Sequence, residues 1–148
     1  MLTRMFIILT AVLVLTACAS GGPTRVEAEE AYIRHAGPEL NRVRYSGFIQ
    51  GWQPVGDDSV LMSFSRNEYY LFELSPPCNL ELRQATHIAL KTSMRQSIGQ
   101  FDRVQVGNLS CRINAIRKVD FEAAQAEIQD RRDQGSEFDR TVEHETDS

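Results

Sequence analysis

Apolar and polar positions alternate along the middle of the chain, as they do in strands that bury one face. The alternation is clearest over residues 60–64 and 70–74, and the connection between them, residues 66–68, is short and polar. A preceding run over residues 44–52 is rich in aromatic and small residues. Because successive side chains of a strand point to opposite faces, these runs predict an antiparallel meander of three strands.

A second group of strands is predicted further along the chain. Residues 86–92 carry alternating apolar residues, and residues 101–106 and 109–116 predict a hairpin whose connection, Gly-Asn, suits a two-residue turn. The polar residues 93–100 predict a loop. We therefore expect an α+β fold that is mainly β, with a small antiparallel sheet or partly open barrel of about five to six strands over residues 40–118.

One helix is predicted on each side of this β-rich region. Thr24 and Glu27 have the spacing of a capping box, which predicts an N-terminal helix over residues 24–37 that ends at a glycine and a proline. A C-terminal helix over residues 120–134 carries a narrow apolar stripe. The remaining residues, 135–148, are acidic and have little apolar content, and we expect them to be disordered.

The first residues predict a targeting segment rather than a part of the fold. Arg4 supplies a positive charge, and the apolar run over residues 5–15 fits the hydrophobic region of a signal peptide. This run is too short for a bilayer span, which takes about 20 apolar residues. We therefore expect residues 1–17 to be removed and residues 18–23 to form a flexible tether.

The sequence Leu15-Thr16-Ala17-Cys18 resembles the lipobox of bacterial lipoproteins. The resemblance implies that Cys18 receives a diacylglyceryl group, becomes the N-terminus after cleavage, and holds the protein on a bilayer of the cell envelope. By analogy with enteric lipoproteins, Ala19 at the next position favours the outer membrane, facing the periplasm. The alternative is an ordinary secretory signal cleaved after Ala17 or Ala19, with Cys18 incidental.

Cys78 and Cys111 remain as a pair once Cys18 carries lipid. In an exported domain an even number of cysteines predicts a disulfide, which here would connect the meander to the last hairpin. Two free buried thiols and a redox pair are the alternatives, although a redox pair usually has Cys-x-x-Cys spacing.

The charge balance argues against a nucleic-acid partner. The chain has 16 basic and 20 acidic residues, a formal net charge of −4, and no extended basic run. Neutralising phosphates requires clustered Lys and Arg side chains, which this sequence does not offer.

No catalytic or metal-binding pattern stands out in the sequence. Nucleophile elbows, phosphate-binding loops, zinc-protease motifs and dinucleotide-binding glycines do not occur. His35 and His87 fit surface or core-edge positions, and Asp57 and Asp58 fit a turn. We therefore predict no catalytic residue, no metal and no cofactor.

The aromatic residues of the meander are expected mostly in the core. If Trp52 and Tyr69 lie on the outer face of the sheet, they mark a candidate recognition surface.

The lipobox together with a two-cysteine pattern resembles a group of small proteobacterial lipoproteins that carry a domain of unknown function. The pattern includes Trp52, Asp58-Ser59-Val60, residues 69–74, Cys78, Ala85, Ile88, Phe101-Asp102-Arg103-Val104 and Cys111-Arg112-Ile113. The resemblance implies no activity. We expect an accessory or interaction module with an envelope protein as its partner. The alternatives are a small-ligand-binding β domain with an aromatic pocket or, third, an enzyme whose pocket would collect His87 and carboxylates.

Overall fold

The computed structural model describes residues 24–145, and it describes residues 79, 80 and 135–145 by their backbone alone. Residues 1–23, where the signal peptide, the lipidated cysteine and the tether are predicted, lie outside the described residues, as do residues 146–148. In chain order the elements are α1 (Arg25–Arg34), β1 (Ala36–Glu39), β2 (Arg42–Arg44), β3 (Gly51–Val55), β4 (Ser59–Ser65), β5 (Glu68–Leu74), α2 (Asn79–Gln84), β6 (Ile88–Lys91), β7 (Ser97–Gly99), β8 (Arg103–Val106), β9 (Leu109–Val119) and α3 (Phe121–Glu145).

Six strands form a curled antiparallel half-barrel in the order β3-β4-β5-β9-β8-β6. The long strand β9 lies at its centre, because its first part pairs with β8 and the rest pairs with β5. β1 joins the same sheet by pairing with the end of β9, where Ala36 lies opposite Val119. The predicted fold class, mainly β with a helix on each side, is confirmed.

The two faces of the sheet bury two separate cores. The inner face, which the sheet curls around, buries Val43, Val60, Met62, Phe64, Tyr70, Phe72, Leu74, Cys78, Leu82, Ile98, Val104, Val106, Cys111, Ile113 and Ile116. The outer face packs against α1 and α3 through Ala31, Tyr32, Val55, Leu61, Leu71, Val119, Ala124 and Ile128. At about 1.5–3 kcal/mol for each large apolar side chain, both cores contribute substantially to folding.

The capping box predicted for the first helix is confirmed. The Thr24 hydroxyl accepts a hydrogen bond from the backbone N–H of Glu27, and the Glu27 carboxylate accepts one from the backbone N–H of Thr24 at 2.7 Å. The helix ends at Arg34 rather than at residue 37, because the chain becomes extended at Ala36 to pair with β9.

Three segments differ from the prediction. The first strand of the meander, predicted over residues 44–52, is β3 at Gly51–Val55, because the chain before it pairs with β7 through residues 42–44 and then turns at Gly47, where φ is +94°. Residues 93–100, predicted as a loop, contain β7, which pairs with β2 in a second small sheet that buries Val43 and Ile98. The last helix does not end at residue 134 but continues to Glu145, through part of the segment predicted to be disordered. Extending an existing helix costs less than nucleating one, so the turns packed on the outer core favour its continuation.

The predicted disulfide joins Cys78 to Cys111. Their Cα atoms are 6.0 Å apart, and the bond closes a sequence separation of 33 residues. Both cysteines lie in the inner core, where they are 1% and 2% exposed. The bond therefore fastens the segment before α2 to the central strand of the sheet.

Candidate functional site

Helix α1 runs along the outer face from one end of the sheet towards the other. At its middle, the Glu29 carboxylate lies over Gly56, in the turn between β3 and β4. Just beyond its end, the His35 carbonyl accepts a hydrogen bond from the backbone N–H of Asp120, which follows β9, at 3.0 Å. We call the end of the sheet at Gly56 the near end, and the end at the turn between β4 and β5 the far end.

A groove of about 480 Å³ opens on the outer face at the far end. Its floor consists of small residues of β3 and β4, namely Gly51, Ser63 and Ser65, of which Gly51 and Ser63 are direct partners in the sheet. A Cβ atom at position 51 would approach the Ser63 Oγ atom to 3.2 Å, closer than an ordinary contact. The groove exists because neither strand places a large side chain at these positions.

Aromatic rings form one wall of this groove. The Tyr69 ring stacks on the Phe121 ring with centroids 3.9 Å apart and planes 12° apart, and Phe121 in turn stacks on Tyr32 at 6.3 Å. Tyr69 is therefore the end ring of a three-ring stack. The Tyr32 hydroxyl accepts hydrogen bonds from the side-chain amides of Gln53 and Gln125, which fixes the buried end of the stack.

The rim of the groove is polar and no Asp or Glu lines it, although Ser65 in the floor donates a hydrogen bond to the Glu68 carboxylate at 2.6 Å. Gln50, Gln53, Arg66 and Asn67 line it, with Arg66 and Asn67 in the exposed turn between β4 and β5. Among the residues that the structure describes, no ion pair involves Arg66. The groove thus combines an aromatic wall, amide and hydroxyl groups, and one available positive charge.

The two residues predicted as a recognition surface both border this groove, from opposite faces of the sheet. Tyr69 belongs to the outer face, where it packs beside the outer core. Trp52 pairs with Met62 and packs against the inner core, and it borders the groove from the edge strand β3. Tyr69 thus lies on the outer face and Trp52 on the inner face, and a recognition role for either residue stays a prediction.

The predicted histidine and carboxylate candidates lie elsewhere. His35 contacts Glu127 at 2.9 Å, between the two long helices, and His87 is exposed. Asp57 and Asp58 lie in the turn before β4, as predicted. Among the side chains that the structure describes, no group of three or more from His, Cys, Asp or Glu comes close enough to hold a metal ion.

Glu127 is the centre of an ion cluster that joins α1 to α3. Hydrogen bonds from Arg34, His35 and Arg131 reach its carboxylate. The hydrogen bond from Arg34 contributes most to lowering the pKa of Glu127 to about 2, against a smaller opposing effect of burial. Arg34 and Arg131 belong to the two helices and His35 caps the end of α1, so the cluster holds the helix pair together and does not border the groove.

Asp102 is a buried carboxylate with structural partners. Its two oxygens accept hydrogen bonds from the backbone N–H groups of Ser93 and Gly99, at 2.9 and 2.8 Å, and Arg42 lies 3.9 Å away. Burial raises the pKa of Asp102, but the hydrogen bonds from Ser93 and Gly99 and the charge of Arg42 outweigh this effect and lower the pKa. This side chain fixes the segment that carries β7.

The floor of the groove was not predicted from the sequence. Gly51, Ser63 and Ser65 are small residues at outward positions of strands whose neighbours on the same face are large. That signal can be read only when the pairing of β3 with β4 is known, since the residues are far apart in the sequence.

Comparison with known proteins gives a family without an assigned activity. A family model described as "Family of unknown function (DUF6491)" matches residues 1–135, so the chain belongs to this family. Neither the curated proteins nor the solved structures contain a match to the chain. Among the described helices, none has the length and apolar character needed to cross a membrane.

Proposed function

We propose that this member of DUF6491 is an accessory module of the bacterial cell envelope, anchored by lipid at Cys18 and presenting its far end to a partner. The anchor rests on the lipobox resemblance of Leu15-Thr16-Ala17-Cys18. Each acyl methylene buried in the bilayer contributes about 0.8 kcal/mol, and two chains hold a protein stably. The disulfide between Cys78 and Cys111 supports the proposal, because such bonds persist in oxidising compartments such as the periplasm.

The single observation that carries the proposed orientation is the position of the groove, which lies away from the start of α1. The tether would enter at the near end, where α1 begins. The groove lies at the far end, and a cavity of about 650 Å³ beside His35 and Asn67 lies there as well. A third, of about 550 Å³, is lined by Tyr45, whose ring packs at 5.2 Å from Phe64 near the far end of β4.

The lengths of the tether and of β4 limit the distance between these cavities and the bilayer. Residues 18–23, fully extended, span at most about 20 Å. β4 has seven residues, which at about 3.3 Å each place the far end a further ~23 Å from the near end. A partner could therefore reach the far end while the lipid holds the near end close to the membrane.

The near end carries a cluster of acidic groups. Burial, together with repulsion from Asp58, Asp57 and Glu73, raises the pKa of Glu29 despite a hydrogen bond with Ser59 that lowers it. Arg83 neutralises part of this charge by pairing with Asp57. The remaining acidic groups are repelled by anionic lipids within a Debye length of about 8–10 Å, so this charge opposes close contact of the near end with the bilayer and favours an extended tether.

Site-specific photo-crosslinking in intact cells tests this function. A photoreactive amino acid replaces Arg66 at the far end or, as a matched control in another exposed turn, Asp58 at the near end. We expect an adduct with an envelope protein from position 66 but not from position 58, and its loss when the same chain carries Cys18→Ala. Equal adducts from both positions, or an adduct that survives Cys18→Ala, would contradict the proposal.

A further inference from the structure

We propose that the groove on the outer face binds a short acidic glycan, with a sugar ring against Tyr69 and a carboxylate on Arg66. A sugar ring offers an apolar C–H face together with a rim of hydroxyl groups. The groove offers the complement, because the Tyr69–Phe121 stack forms its wall and the amides and hydroxyls of Gln50 and Ser63 line it. This inference concerns the groove alone and does not depend on the anchor.

Other classes of small ligand fit the groove less well. A metal cation would need carboxylates, and no Asp or Glu is among the residues that line it. A purely apolar ligand would leave the polar side chains of Gln50, Asn67 and Arg66 facing a surface that cannot hydrogen-bond to them. The volume of about 480 Å³ lies within the range of about 300–1,000 Å³ that is typical of small-molecule sites.

The small residues in the floor of the groove leave room for a sugar ring to lie against Tyr69. Ser63 is 8% exposed, and its hydroxyl donates a long hydrogen bond, 3.4 Å, to the Gly51 carbonyl. A core position of this kind would usually carry a large apolar residue, as Leu61 does two positions earlier on the same face. Small residues here leave the Tyr69 wall accessible instead of covering it.

Arg66 gives the site a preference for acidic sugars. Its guanidinium is exposed in the turn at the rim and can pair with a carboxylate in a bidentate geometry. An ion pair in such an exposed position corresponds to a preference of about two- to fivefold for a charged over a neutral sugar. Stacking on Tyr69 supplies the part of the affinity that both sugars share.

Intrinsic fluorescence of the full chain in detergent measures binding directly. Trp52 is the sole tryptophan and borders the groove, so its emission reports on this site. The probes are N-acetylglucosaminyl-N-acetylmuramic acid and N,N′-diacetylchitobiose, which differ by one lactyl ether group that carries the carboxylate. We expect saturable changes with both and about two- to fivefold tighter binding of the acidic probe.

Substitutions in the groove test which residues carry the binding and which carry the preference for the acidic probe. Tyr69→Ala should abolish binding of both probes, Tyr69→Phe should retain it, and Arg66→Gln should remove only the preference for the acidic probe. Ser63→Leu fills the floor while leaving the aromatic wall intact, so it tests the groove even if Tyr69→Ala fails to fold. The matched controls are Arg95→Gln and Phe48→Ala, which alter an exposed arginine and an exposed phenylalanine outside the groove.

Three results would overturn the inference. The first is the absence of a saturable signal with either probe at millimolar concentration in the folded parent. The second is unchanged binding in Ser63→Leu that keeps the parent's circular dichroism spectrum. The third is equal affinity for the two probes, which would exclude the proposed role of Arg66 and with it an acidic ligand.

Discussion

Removing the disulfide between Cys78 and Cys111 should destabilise the domain by a predictable amount. The chain-entropy model, applied to a sequence separation of 33 residues, gives about 3.7 kcal/mol. Both sulfur atoms lie in the inner core, so replacing the cysteines with alanine adds about 1 kcal/mol or more for lost packing. Against a typical total of about 5–15 kcal/mol, this loss is large.

Urea unfolding followed by Trp52 fluorescence measures the effect. Both samples carry Cys18→Ala, so that Cys78 and Cys111 are the cysteines that remain. With a slope of about 2 kcal/mol/M, the midpoint should fall by about 2 M when both cysteines become alanine. The sole tryptophan reports on the inner core, because Trp52 packs against it.

A reduced sample of the parent separates the cross-link from the packing. The protein is unfolded, reduced, and refolded in dithiothreitol, which opens the bond and leaves the side-chain volume almost unchanged. We expect the midpoint of the reduced parent to fall by most of the amount seen in the alanine variant. The alanine variant should fall slightly further, because it also loses the packing of the two side chains. A reduced parent that unfolds within about 0.5 M of the oxidised protein would refute the reasoning, since that corresponds to about 1 kcal/mol.

Three further predictions concern single residues. The pKa of Glu127 is lowered from 4.5 to about 2 in the folded state, so the stability that its charge contributes is complete above pH 4.5 and is lost as the pH falls towards 2. The melting temperature should therefore fall more steeply with acid in the parent than in Glu127→Gln. Parallel profiles of melting temperature against pH would contradict this. Asp102→Asn should lower the free energy of unfolding in urea by about 1–3 kcal/mol, because an amide has one acceptor oxygen where the carboxylate uses two. An unchanged midpoint would exclude the structural role. Gly56→Ala should lower the melting temperature more than Gly47→Ala: both have positive φ, but a Cβ at position 56 would collide with Glu29, whereas one at position 47 meets nothing within 4 Å. Equal effects would show that Glu29 moves aside freely.

The second and third strands of the meander could be predicted because their alternation is regular, but what covers each face could not. Val60 and Met62 point to the inner core as their spacing suggests. Leu61, between them, lies under the helices in the outer core. Periodicity assigns side chains to faces and does not show which element packs on a face. In its sequence pattern, a strand buried on both faces can therefore look the same as a strand with one exposed face.

The groove could not be predicted for a related reason. Gly51 and Ser63 become neighbours through the register of β3 and β4, which no local pattern specifies. β7 has only three residues, too few for any period to be visible. The disulfide, by contrast, follows from the number of cysteines and the predicted export, and needs no geometry.

The mass of the N-terminal peptide, from protein purified out of membranes, tests the lipid anchor most directly. We predict a peptide that begins at Cys18 and carries a diacylglyceryl group on its sulfur, with or without a further acyl chain on its amine. A mature protein that begins at any other residue, or at a Cys18 without lipid, would contradict the anchor and the orientation inferred from it.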